Sequence, residues 1–336
     1  MEKIRVGVVG YGTIGKRVAD AVRLQKDMEL VGVTGNSYNY RMEIAHRNNI
    51  PIYCVGEESD FKANGIDSSG KIEDLLSQTD VVVDCTPKKI GKENKEKYYI
   101  PNKVKAIFQG GEKPAVADVS FTAQCNYKEA LNKDFIRVVS CNTTGLCRTL
   151  SAIDRQFGVA DVVATMIRRG ADPWDIRHGP INAIVPVLEL PSHHGPDVQT
   201  VLHNMDIVTT ALSVPSTLMH LHTLTVEMRR AVTSAEVAEC FRNTTRVRVV
   251  RNAEQVRSTA EIMELAKDLQ RGRGDMPEIC VWEEAIGTKN KKLFYMQAIH
   301  QESDVIPENI DAIRAAMGFL DAAKSIAMTN ASMGIK

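Results

Sequence analysis

No apolar run in this 336-residue chain approaches the roughly 18 to 20 residues that cross a bilayer, which excludes a transmembrane helix and a membrane partner. A signal-peptide pattern is missing too: Met1-Glu2-Lys3 leads straight into a strand-like segment, so a cytoplasmic protein is expected. Net charge is absent. Forty-two Lys and Arg balance forty-two Asp and Glu, so no overall field draws the molecule onto nucleic acid or an anionic surface. The seven cysteines (Cys54, Cys85, Cys125, Cys141, Cys147, Cys240, Cys280) are odd in number, scattered, and form no C-x-x-C pair. That argues against a disulfide framework and a zinc knuckle, and no metal is expected. Low-complexity stretches and internal repeats are also lacking, so any linker is short.

What is there is ordinary globular material, 43% hydrophobic and 25% charged, in a chain long enough for two domains. The first half alternates β-branched runs with amphipathic stretches: strands over 4–9, 29–34, 80–84 and 106–109, and a helix over 14–25. Such alternation implies a parallel sheet with helical crossovers, and the continuous Val81-Val82-Val83 fits a sheet buried on both faces. After about residue 140 the pattern shifts to two-residue alternation, as in 213–227 apart from a break at Pro215, and in 245–250. The expected fold is α/β: a doubly wound Rossmann domain, 1–140 with 302–336, and an α+β domain over 141–301 with a mixed or antiparallel sheet. A helix over 309–331 is expected to pack back on the first domain.

Gly10-Tyr11-Gly12-Thr13-Ile14-Gly15 follows the first strand and opens a helix, the context that makes G-x-G-x-x-G a dinucleotide signal. Gly10 permits the tight turn, Gly12 lets backbone approach a pyrophosphate, and Gly15 lets helix and strand pack closely. The free N–H groups at the helix start then face the phosphate. An acid near the end of the second strand would bind the ribose of NAD, yet Gly32-Val33-Thr34-Gly35-Asn36-Ser37-Tyr38 contains none. Small polar residues do not repel a 2′-phosphate and Arg41 is close by, so NADP is expected as cofactor, with NAD an alternative. Thr86, Gly110 and Gly111 sit at the carboxyl ends of strands, where such sheets line the ligand crevice.

Cys141 lies between a strand over 134–140 and a helix beginning near Thr143. A thiol there feels the positive end of the helix dipole, so a lowered pKa and a nucleophilic thiolate are expected. Ser140, Asn142 and Thr143 are candidate donors to an oxyanion. A thiolate beside a nicotinamide suggests aldehyde oxidation through a hemithioacetal and a thioester. His220 and His222 share a strand face, and His220 is taken as general base with His222 in support. Of the adjacent Arg168 and Arg169, one serves the site; His194 and Gly195 are candidate donors to a substrate phosphate.

Taken in order, Gly10-Tyr11-Gly12-Thr13-Ile14-Gly15-Lys16-Arg17, Phe108-Gln109-Gly110-Gly111-Glu112-Lys113, Ser140-Cys141-Asn142-Thr143-Thr144-Gly145-Leu146-Cys147-Arg148, Arg168-Arg169-Gly170-Ala171-Asp172-Pro173, Pro191-Ser192-His193-His194-Gly195-Pro196-Asp197 and His300-Gln301-Glu302-Ser303 resemble the archaeal type of phosphorylating glyceraldehyde-3-phosphate dehydrogenase along essentially the whole chain. The resemblance implies Cys141 as nucleophile and His220 as base. It implies cofactor contacts from Thr13, Ile14, Gly111, Arg169 and Gln301, and a glyceraldehyde 3-phosphate site from Ser140, Cys141, Asn142, His194 and Gly195. It further implies attack of inorganic phosphate on the thioester, giving 1,3-bisphosphoglycerate, a reverse reaction in gluconeogenesis, and a homotetramer. Gly35 stands where archaeal relatives often carry a basic residue, which points to use of both cofactors. The nearest rivals are other thiol-dependent enzymes of this architecture, aspartate-semialdehyde dehydrogenase and an acyl-phosphate reductase; a non-catalytic dinucleotide-fold protein fits the Cys141 and His220 pair less well.

Overall fold

Seven short segments of the first part of the chain become the strands β1 (Ile4–Val9), β2 (Met28–Gly35), β3 (Ile52–Cys54), β4 (Val81–Asp84), β5 (Lys105–Phe108), β6 (Val119–Phe121) and β7 (Phe135–Val138). In the computed structural model, which describes residues 2–109 and 111–335, they form one sheet in the order β3-β2-β1-β4-β5-β7-β6. Every neighbouring pair is parallel. Val6, Val8 and Val81 to Val83 are fully buried, as strands covered on both faces must be. The chain divides into two units, Met1–Val139 with Ile306–Gly334, and Ser140–Val305.

The helix after β1 spans Gly15–Arg23 and turns Val18, Ala19, Ala21 and Val22 inward. At the C-terminus the single helix expected over 309–331 is two, Ile306–Ala316 and Ala322–Met333. The first starts earlier because Pro307 lies in its opening turn, where a backbone N–H has no intrahelical partner to lose. It stops at Gly318, whose φ of 80° lies in the left-handed region, and Asp321 caps the second helix through Lys324 N–H at 3.0 Å. The buried Arg314 ties the first of these helices to the first unit: its guanidinium bonds both carboxylate oxygens of Asp27 at 2.8 Å.

The second unit carries a mixed eight-stranded sheet: β8 (Val159–Arg169), β9 (Val185–Pro186), β10 (Ile207–Val214), β11 (His220–Met228), β12 (Val247–Val250), β13 (Ile279–Trp282), β14 (Gly287–Lys289) and β15 (Lys292–Ile299). The alternating segment expected over 213–227 is split. β10 ends at Val214, and Pro215 and a positive-φ Met219 turn the chain so that β10 lies parallel to one side of β8 while β11 lies antiparallel to the other. The helix Cys141–Phe157 is buried along most of its length. No helix among the described residues is long and apolar enough to cross a membrane.

Candidate functional site

In the first unit, the turn after β1 opens onto a cavity of about 690 Å³ lined by Gly10 to Ile14, Thr34 to Ser37, Asn39, Arg41 and Thr86. Each glycine has a separate reason. Gly10 has a φ of 90°, a methyl on Gly15 would collide with the Gly10 carbonyl oxygen, and a methyl on Gly12 would meet open space, where a ligand backbone contact can form. Thr34 locks the turn to β2 by accepting from Gly10 N–H at 2.9 Å. Thr86 is held by Asp84, which accepts from its N–H at 2.9 Å and from its hydroxyl; the other Asp84 oxygen accepts from Tyr99 Oη at 2.6 Å and Asn94 Nδ2 at 2.9 Å. Asn39 caps the following helix through Arg41 N–H at 2.9 Å. Two acids bond this loop, Asp60 accepting from Tyr38 N–H at 2.6 Å and Glu43 from the Tyr38 hydroxyl at 3.5 Å, and neither lines the cavity. Gly111 has a φ of 75°, and Gly110 lies outside the described residues.

In the second unit, the helix begins at Cys141 itself, two residues earlier than expected, with Ser140 as its N-cap. Ser140 Oγ accepts from Thr143 N–H at 3.3 Å and donates to Thr143 Oγ1 at 2.9 Å, because the Thr143 hydroxyl proton goes to Asp197 Oδ2 at 2.6 Å. Both hydroxyls are therefore committed to the cap and cannot donate to an oxyanion as expected; of the three candidates, Asn142 remains. The expected depression of the Cys141 pKa is also overturned. Burial pushes the thiol up, Asp304 and Glu302 add to the rise, and the Asn142 N–H and Arg169 offset only part of it.

His220, the first residue of β11, accepts at Nδ1 from the backbone N–H of Arg169 at 3.0 Å. The neutral ring then carries its hydrogen on Nε2. Burial, followed by Arg169 and Arg168, pulls its pKa down to about 3. In this tautomer the ring of His220, expected as general base, presents a neutral Nε2–H donor. The Arg169 side chain is fully engaged: it pairs with Glu302 Oε1 at 2.6 Å and with Asp172, and the Gln301 carboxamide lies against it with its oxygen as acceptor. Glu302 pairs in turn with His300 Nε2 at 3.0 Å. Burial alone would raise the Glu302 pKa, but His300 and Arg169 outweigh it and hold the carboxyl at about 2.

His194 opens a short helix, and its Nδ1 meets Ser192 Oγ at 3.1 Å. Burial first, then His193 and Arg168, lower its pKa to about 3. Gly195 does not present its N–H outward as expected, since that group donates to Thr209 Oγ1 at 2.8 Å; a methyl here would crowd the Ile207 carbonyl oxygen at 3.0 Å. Arg168 contrasts with its neighbour. Its Nε is buried with no hydrogen-bond partner and its side chain forms no ion pair among the described residues, while it acts electrostatically on both His194 and His220.

His222 lies fully buried two residues along β11, with Nε2 2.8 Å from Asn142 Oδ1 and Nδ1 3.1 Å from Gln297 Nε2. Sequence reasoning missed Gln297, Thr209, Asp197 and Glu302 as partners of the site. Gln297 carried a signal, being polar at an inward-facing position of the alternating segment 292–299.

A parallel nucleotide-type sheet and a mixed sheet with a cysteine-headed helix define the two-domain dehydrogenase architecture. The crystal structure of aspartate semialdehyde dehydrogenase II from Vibrio cholerae shares this fold, with a TM-score of 0.67 at 12% identity over 94% of this chain and 98% of that one. Residues 140–284 match the family described as glyceraldehyde 3-phosphate dehydrogenase, C-terminal domain, and residues 4–109 that described as dihydrodipicolinate reductase, N-terminus. Proteins named glyceraldehyde-3-phosphate dehydrogenase from Methanococcoides burtonii, Thermococcus onnurineus and Pyrococcus abyssi are 53%, 51% and 52% identical, each aligned over at least 99% of this chain and of its own length. The chain belongs to the glyceraldehyde-3-phosphate dehydrogenase family, and it is an oxidoreductase of the NAD(P)-using kind.

Proposed function

We propose that this chain carries out the reversible oxidative phosphorylation of D-glyceraldehyde 3-phosphate to 1,3-bisphosphoglycerate, in glycolysis and, in reverse, gluconeogenesis, as a cytoplasmic homotetramer. The observation that carries the reading is Cys141 at the head of a buried helix, with Arg169 acting on its thiol and bonding His220 through its own backbone. The first unit is the cofactor domain and the second the catalytic one. The glycine turn with Thr13, Ile14, Thr86 and Gly111 would hold the dinucleotide, and Arg169 and Gln301 remain assigned to its nicotinamide end. Ser37, Asn39 and Arg41 would surround the adenosine ribose, where Arg41 supplies a cation for NADP, while Gly35, standing in place of a second basic residue, leaves NAD acceptable. A bound nicotinamide ring accepts the hydride.

Cys141, as thiolate, attacks the aldehyde carbon; the new C–S bond places an electron pair on oxygen, and the thiol proton goes to solvent. The Nε2–H of His220 and the Asn142 carboxamide stabilise that alkoxide. Departure of hydride restores the C=O as a Cys141 thioester. An oxygen of inorganic phosphate then attacks the same carbon, the C–S bond breaks, and thiolate leaves the acyl phosphate. Ser140 caps the helix and His194 and Gly195 shape the substrate site, with the uncommitted Arg168 as the cation facing the terminal phosphate.

Support for self-association comes from apolar surface: Val163, Val208, Phe294 and Met296 protrude from one face of the mixed sheet, and Ile176, Ile181 and Leu188 are almost wholly exposed. The deciding experiment follows NADPH and NADH formation from glyceraldehyde 3-phosphate with and without inorganic phosphate, for the wild type and Cys141→Ser. Phosphate-dependent turnover that the substitution abolishes is expected. A semialdehyde as the much better substrate overturns the assignment, and light scattering reports the oligomer.

A further inference from the structure

The helix headed by Cys141 is joined to the sheet by a one-way chain of buried hydrogen bonds. Tyr295 Oη donates to Thr149 Oγ1 at 3.1 Å, and Thr149 donates to Gln297 Oε1 at 2.8 Å. Thr149 Oγ1 also lies 3.2 Å from the Gly145 carbonyl oxygen, but its contact with Gln297 is the shorter; with Oε1 as that acceptor, Gln297 Nε2 donates to His222 Nδ1 at 3.1 Å. With Nδ1 accepting, the neutral His222 ring must carry hydrogen on Nε2, and that hydrogen goes to Asn142 Oδ1 at 2.8 Å. His222, Gln297, Thr149 and Tyr295 are all at most 1% exposed, so water does not compete for any link.

The chain ends on a carboxamide whose oxygen is occupied and whose Nδ2 makes no hydrogen bond among the described residues. Asn142 directly follows Cys141, and its backbone N–H already bonds the sulfur. Ser140 and Thr143, which flank Cys141 and Asn142, have no hydroxyl proton to offer.

We infer that His222 is a positioning residue, which, held by Gln297, fixes the Asn142 carboxamide so that its Nδ2–H donates to the oxyanion formed when Cys141 adds to the aldehyde. Without His222 the amide is free to turn its oxygen toward the developing negative charge, a repulsive arrangement. The inference rests on Cys141 as nucleophile, and Cys141→Ser tests that reading separately: if turnover survives that substitution, the nucleophile assignment fails whatever His222 does.

The test compares His222→Leu, which removes the donor, His222→Gln, whose amide can replace it, Asn142→Ala, and the double variant His222→Leu/Asn142→Ala. Loss of one oxyanion donor lowers kcat about 100-fold or more, so Asn142→Ala falls by that much and His222→Leu by about 10-fold or more. The double variant is no slower than Asn142→Ala alone, because His222 acts only through Asn142. His222→Gln recovers most of the rate. Alkylation of Cys141 by iodoacetamide, a displacement at saturated carbon that forms no oxyanion, keeps its wild-type rate and pH profile in every variant. Additive losses, alkylation slowed in step with kcat, or wild-type kcat in His222→Leu overturns the inference. Should His222→Leu not fold, Asn142→Asp decides: it keeps the acceptor for His222 and replaces the donor by oxygen, so kcat falls at least as far as in Asn142→Ala, and an unchanged kcat refutes the assignment.

Discussion

The backbone N–H of Arg169 donates to Nδ1 of His220 at 3.0 Å, and this single bond sets what the imidazole can do. A ring whose Nδ1 accepts has its hydrogen on Nε2, and to become cationic it must give that bond up. His220 and His194, both drawn down to about 3, consequently stay neutral in the folded protein at pH values where they are charged in the unfolded chain.

The sign of the resulting pH dependence follows directly. Between pH 6.5 and about 3 the unfolded chain binds these protons and the folded one does not, so stability is full above pH 6.5 and is lost as pH falls. Each histidine costs about 2 kcal/mol between pH 6.5 and 5. Urea unfolding at pH 7.5, 6.5 and 5 measures it. Equal stability at all three would show that the rings are not held neutral.

The thiol of Cys141 should be slow to react in the free protein. Burial raises its pKa, so iodoacetamide labelling at pH 7 is expected to run at least 10-fold slower than for an exposed cysteine and to keep climbing above pH 9. A labelling rate that levels off below pH 8 contradicts this.

Replacing Arg41 by Ala removes the only cation among the described residues that line the cavity beside Ser37 and Asn39. The KM for NADP should rise about 5- to 150-fold, the equivalent of 1 to 3 kcal/mol for a charge-assisted bond, with the KM for NAD unchanged. Equal effects on both cofactors would assign Arg41 to the fold and not to the 2′-phosphate.

Arg168→Ala separates the paired arginines. It should raise the KM for glyceraldehyde 3-phosphate about 10-fold or more while leaving that for unphosphorylated glyceraldehyde little changed. Arg169→Ala instead releases Glu302 and Asp172 and should lower the melting temperature. If the two phenotypes are exchanged, the assignment of Arg168 to the substrate phosphate is wrong.

Several features were legible in the residues alone. The glycine turn could be read because its three positions answer to local geometry: a positive φ at Gly10, open space at Gly12, close packing at Gly15. The parallel sheet was legible in Val81-Val82-Val83 and its sister runs, since burial on both faces leaves no room for polar alternation. The C-terminal helix pair was not, because a helical period continues through Gly318 and only the backbone reveals the left-handed break there.

Chemistry at the head of the Cys141–Phe157 helix divides in the same way. Which residue types stand there, a cysteine followed by an amide and two hydroxyls, and two histidines spaced to share a strand face, is a property of the sequence, because covalent neighbours and strand alternation need no tertiary information. Whether that thiol is lowered or raised, which arginine is engaged and which is left over, which ring nitrogen carries the hydrogen, and that His222 serves Asn142 instead of His220 were decided by the tertiary structure. Desolvation and hydrogen-bond direction depend on groups such as Gln297, Glu302 and Asp304, more than a hundred residues away from Cys141 in sequence and brought beside its helix only by folding.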